Sequence, residues 1–123
     1  MKNERTTSIR HEVLLAAAIM ASPEETPEGP PSIEHISSLL FELKKSGIDL
    51  GEIALRRVPE GFYSEDIETL IGHYLAAGYA TQLSPVTLTP RGRQALAEII
   101  AEERKENPEG LQRIEAVLGS LAA

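Results

Sequence analysis

The chain has 123 residues, a length suited to one hydrophobic core, and its twelve basic against nineteen acidic residues give a net charge of −7. Apolar residues make up 41% and aromatics only 4%, so the core must be assembled from Leu, Ile, Val and Ala, which favours helices. No cysteine is present; this excludes a disulfide framework, thiolate metal ligands and a cysteine nucleophile, and fits a cytoplasmic setting, while the acidic balance argues against general affinity for nucleic acid.

Residues 1 to 6 are polar and read as a frayed end. Thr7 or Ser8 can cap a first helix running to about Ala21, with Ile9, Val13, Ala17 and Met20 at helical spacing and Leu14, Ala16, Ala18 and Ile19 filling the other positions. Such a helix is a core strut, apolar on more than one face. Its longest apolar run, 13 to 21, falls well short of the roughly 20 residues that span a bilayer, and the mixed charge before it, with no clear cleavage site after it, argues against a signal peptide. Four prolines and three glutamates in residues 22 to 31 predict an exposed loop.

Ser32 caps a second helix predicted over 33 to 46, in which Ile36, Leu39, Leu40 and Leu43 form one stripe and Lys44, Lys45 and Gly47 supply the basic last turn and stop. Residues 48 to 60 read as irregular, with a short strand or turn near 53 to 58. A third helix begins after the lead-in "GFY": Ser64 is its cap, Glu65 and Asp66 complement the positive end of its dipole, and Gly78 ends it. Ile67, Leu70, Ile71, Tyr74 and Leu75 form its buried stripe. "YATQL" and "VTLT" pair as a hairpin across Ser84 and Pro85. Thr89 and Pro90 open a helix to about 106, with Leu96, Ile99 and Ile100 inward, and Asn107 and Pro108 open the last. In that helix Leu111, Ile114, Leu118 and Leu121 form a seam that either packs on its own domain or pairs with a second copy.

This order describes one mainly α domain over residues 1 to 123, with a small β-hairpin: a winged-helix-like arrangement with additional C-terminal helices. The stretches "SIEHISSLLFEL", "PEGFYSEDIETLIGHYLAAGYA" and "VTLTPRGRQAL" resemble the YwgA-like and SocA-like (Panacea) bacterial winged-helix group. The matching positions are Leu39, Leu40, Phe41, Gly61, Tyr63, Ser64, Asp66, Gly78, Leu88, Thr89 and Gly92, within residues 33 to 96. Phe62 stands where that group has proline, and basic residues near the first signature helix are lacking. The resemblance implies an accessory or antitoxin-like protein that holds another protein, with no catalytic residues to carry over.

Chemistry in the sequence is sparse. His11, His35 and His73 lack a second ligand at helical spacing, so no metal site is expected; Ser64 is a cap and lacks a nucleophile elbow; no glycine-rich phosphate loop and no cofactor signature occurs. Three basic doublets, Lys44 with Lys45, Arg56 with Arg57, and Arg91 with Arg93, could straddle phosphates if the fold gathered them. The helix that would read DNA, however, presents Glu65, Glu68, Gly72, His73 and Ala76 on its outer face, where carboxylates oppose a phosphate backbone. The leading expectation is therefore a non-enzymatic protein-binding module acting through that face, homodimeric through the last helix and without membrane association. The alternative is a winged-helix regulator that binds DNA through the doublets. Gly72 itself either accommodates another helix of this domain or admits a partner.

Overall fold

The computed structural model describes residues 10–21, 31–59, 61–82 and 85–122. The predicted cap at Thr7 or Ser8, the frayed end, most of the Pro/Glu loop and the hairpin tip at Ser84 lie outside the described residues. The elements are α1 (His11–Met20), α2 (Ile33–Lys45), β1 (Arg56–Val58), β2 (Gly61–Tyr63), α3 (Glu65–Ala77), β3 (Ala80–Gln82), β4 (Thr87–Leu88), α4 (Pro90–Glu106) and α5 (Pro108–Ala122).

Seven consecutive residues of α1, Val13 to Ile19, are buried. Helical periodicity would leave some of them facing water unless neighbours stood on every side. Those neighbours are α2, α4 and α5. Ile33, Ile36, Leu40 and Leu43 of α2 turn inward, as does Leu96 of α4, while Leu39 is only half-buried. The Arg10 guanidinium meets the buried carboxylate of Glu103 at 3.2 Å, tying the start of α1 to the end of α4.

The last helix resolves the choice its seam offered. Leu111, Ile114 and Leu118 are buried against the chain's own α1, α2 and α4. These three side chains of the seam thus pack within the domain, as the first of its two readings has it, while the Leu121 side chain lies outside the described residues.

Among the described residues two hairpins are present where one was expected. β1 and β2 pair antiparallel, with Arg56 opposite Tyr63, Arg57 opposite Phe62 and Val58 opposite Gly61. The strand foreseen near 53 to 58 is thus real at 56–58, but its partner is the segment taken for a lead-in. Pro59 suits the first turn position, and Gly61 has φ 138°, a conformation open to glycine. A Cβ at Gly61 would stand 2.6 Å from Ser38 Oγ, so β2 lies directly against α2.

The ends of α3 follow their capping residues. Ser64 Oγ accepts from the Ile67 backbone N–H at 3.2 Å, and Gly78 closes the helix in the left-handed conformation. Ile67 and Ile71 are buried, Leu70 and Tyr74 partly so, but Leu75 is 36% exposed. At about 100° per residue, Leu75 falls between the Ile67–Ile71 line and the outward side, so the predicted stripe is one position too wide. Beyond α3, β3 pairs with β4, Ala80 opposite Leu88 and Gln82 opposite Thr87.

Thr89 serves two elements: its hydroxyl donates to the Gly78 carbonyl at 2.8 Å and accepts from the Gly92 N–H at 3.0 Å. It thereby caps α4 and pins that cap to the end of α3. A Cβ at Gly92 would collide with the Tyr79 backbone carbonyl, so only glycine allows α4 to pack this closely. Gly92→Ala is expected to cost about 2–3 kcal/mol. Thermal or urea unfolding measures it, and an unchanged midpoint would contradict this packing.

Candidate partner-binding surface

The outer side of α3 begins at its capped first turn, where three acids do different work. Asp66 accepts from the Ala54 N–H at 2.8 Å and ties down the segment before β1. Glu65 pairs with Arg56, Oε2 to Nη2 at 3.0 Å. Both side chains remain more than half exposed, so this pair contributes at most about 1 kcal/mol and can exchange partners. Glu68 accepts from the Tyr63 hydroxyl; with burial and the charges of Glu68, Glu34 and Glu65, this pushes the tyrosine up to about 12. The acidic end of the face is thus a carboxylate pair fringed by Arg56 and Tyr63 of the first hairpin.

Further along the helix the surface becomes small and apolar. Among the described residues, a Cβ placed on Gly72 would meet no atom within 4 Å, so none of the described helices packs into the space at Gly72. Ala76 is exposed, Leu75 adjoins it, and His73 is exposed on the far shoulder. Glu65, Glu68, Gly72 and Ala76 therefore lie along one side of α3, with His73 at its border.

The basic doublets do not gather on one surface. Lys45 stands 5.6 Å from the centre of the Phe41 ring; Phe41 stacks on Phe62 at 3.9 Å with an 18° tilt; and Arg57 stands 5.1 Å from the Phe62 ring. Rings this close leave no room between them, so each cation flanks the stack. Lys45 also pairs with Glu42 at 3.4 Å, and Lys44 is exposed beside it. Arg56 lies 5.0 Å from the ring of Tyr63, its cross-strand neighbour. Arg91 instead sits past the opposite end of α3, over the Tyr79 ring at 5.6 Å and near Gly78, and Arg93 follows it in α4. Thirteen residues of helix, about 20 Å, separate the two groups.

Phe41, Phe62 and Tyr63 were missed as constituents of this surface. Their signal lay in "VPEG", a proline-glycine turn that sets Arg57 against Phe62 and Arg56 against Tyr63 once both flanks are read as strands.

Among the described residues no group of three His, Asp or Glu is placed to hold a metal ion, and no helix is long and apolar enough to cross a membrane. His11 Nε2 accepts from the Glu52 N–H at 3.3 Å, while His35 is exposed elsewhere. Ser64 is fully buried at its cap. A separate apolar recess of about 420 Å³ lies among Ala17, Met20, Ile100, Leu118 and Gly119, with the Arg104–Glu115 ion pair at its rim. Comparison with protein-family models, curated proteins and solved structures finds no match to this chain.

Burial and the charge of Glu12 also hold Tyr74 up at about 12, which makes it an internal control. Glu68→Gln removes the charged acceptor from Tyr63 and is expected to bring one of these two late titrations down towards the ordinary value near 10. Because the folded chain favours neutral Tyr63, its contribution to stability is complete below pH about 10 and lost as the pH rises towards about 12; in the variant this loss ends sooner. Tyrosinate absorbance against pH reads the shift, and an unmoved curve would separate Glu68 from Tyr63.

Proposed function

We propose that this chain is a non-enzymatic protein-binding module of winged-helix-like order that holds its partner on the outer face of α3. One observation carries the reading: Gly72 costs α3 roughly 1 kcal/mol relative to alanine, yet no neighbour among the described residues occupies the space its missing side chain leaves. Without an intramolecular reason for glycine, close approach by another backbone is the favoured one. Exposed Leu75 and Ala76 supply an apolar centre, and Glu65 and Glu68 a charged end that favours basic partner groups and steers their approach. The similarity to the YwgA-like and SocA-like group suggests the same kind of role, an accessory or antitoxin-like protein acting in the cytoplasm.

A second reading, DNA binding, draws on Lys45 and Arg57, brought side by side by the Phe41–Phe62 stack. It is weakened by the distance to Arg91 and Arg93 and by the engagement of Arg56 with Glu65.

The test is affinity capture from the native host with the wild-type chain and with Glu65→Arg/Glu68→Arg. Charge reversal is expected to deplete the captured protein at least about tenfold while changing the unfolding free energy by less than about 1 kcal/mol. Undiminished capture, or a duplex DNA shift at low salt that is lost on replacing Lys45 and Arg57, would move the function to the hairpin corner.

A further inference from the structure

Where α1, α4 and α5 converge, the side chains that face one another are too small to meet. α1 contributes Ala17 and its C-terminal cap Ala21, and α5 contributes Gly119, where a Cβ would touch no described residue within 4 Å. The recess this leaves measures about 420 Å³ and has walls on all three helices. Ala17 and Leu118, 7% and 3% exposed, form its floor, and Ile100 of α4 forms a side. Met20 stands at the mouth, 53% exposed, the most exposed large apolar side chain among the described residues. Packed interiors seldom leave voids larger than a water molecule, whereas small-molecule sites occupy roughly 300–1,000 Å³ and are lined mostly by apolar groups with a few polar ones at the edge. The recess has that size and that lining.

The rim decides the polar end of the occupant. Arg104 and Glu115 meet there as a fork, Nη1 to Oε1 at 3.1 Å and Nη2 to Oε2 at 2.7 Å. Each charge is already answered by the other. A carboxylate or an ammonium entering beside them would have to break this pair or leave its own charge uncompensated. A hydroxyl or carbonyl, by contrast, finds the outward N–H groups of Arg104 without disturbing either bond, and a hydroxyl can also donate to the outward lone pairs of Glu115.

We propose that the recess between α1, α4 and α5 binds an uncharged amphiphile, with an apolar chain or ring against Ala17, Leu118 and Gly119 and a hydroxyl or carbonyl head at the Arg104–Glu115 fork. The site shares no residue with the outer face of α3, so either reading can fail without the other.

Titration of the full chain with 1-octanol, followed through its backbone amide NMR signals, tests this. Shifts are expected to gather on Ala17, Ala21, Ile100, Leu118 and Gly119 and to saturate with a dissociation constant on the order of 0.1–1 mM, as suits a small ligand in an open site. Octanoate and octylammonium, of the same chain length, should each bind at least about tenfold more weakly. Gly119→Leu fills the recess and should abolish binding, with an unfolding temperature no lower than wild type, and Gly119→Ala, a smaller filling, should weaken it part of the way. Gly72→Leu, the same replacement on α3, should leave octanol binding unchanged. Shifts scattered over the exposed apolar surface, octanoate or octylammonium bound as tightly as octanol, or a Gly119→Leu chain that still saturates overturns the proposal. Octanol affinity that falls as the protein concentration rises would give the recess to a second copy of the chain and overturn it likewise.

Discussion

The enclosure of α1 organises the rest of the molecule. Seven successive side chains from Val13 to Ile19 have no solvent face, and burying each large one is worth roughly 1.5–3 kcal/mol relative to exposure. That demand recruits the apolar faces of α2, α4 and α5. A helix surrounded in this way leaves no room on its flanks for α3, which instead lies outside the layer, against α2 and the second hairpin. The last helix is therefore a wall of the core, and α3 keeps an outer side on which Glu65, Leu75 and Ala76 are exposed.

Held only along its inner edge, α3 depends on its ends for a fixed orientation. At one end Ser64, Asp66 and Glu65 bind it to its own backbone, to Ala54 and to Arg56. At the other, Thr89 bridges Gly78 and Gly92, and the Tyr79 carbonyl packs where a Cβ on Gly92 would be. Both anchorings use acids, caps and glycines that look functional in isolation. On the surface between them Leu75 and Ala76 are exposed, and no described residue lies within 4 Å of where a Cβ on Gly72 would stand. The reading of function rests on that difference between residues with a structural task and residues without one.

Local signals carried much of this into the sequence. Ser32, Ser64 and Thr89 cap the helices they were expected to cap, because a cap is a contact between residues three apart and needs no knowledge of the fold. The enclosed character of α1 was visible in its unbroken apolar run, and the outward placement of Glu65 and Glu68 in the period of the helix. The first hairpin was not recognised, since its strands are only three residues long and its two faces are held by Phe41 on α2 and by α3. Long-range pairing also decided the charges: Arg56 neutralises Glu65 only because strand register brings the start of β1 to the start of α3. The seam of the last helix was legible as a seam, but its period could not say which helix would fill it.

The absence of native cysteine allows a direct reading of whether position 72 faces solvent. A Gly72→Cys chain should react with a maleimide in the native state, without waiting for the chain to unfold. Ser37→Cys, placed at a fully buried position, should react only through unfolding. Equal protection at the two positions would mean that α3 turns Gly72 into the protein and that its outer face is not a binding surface.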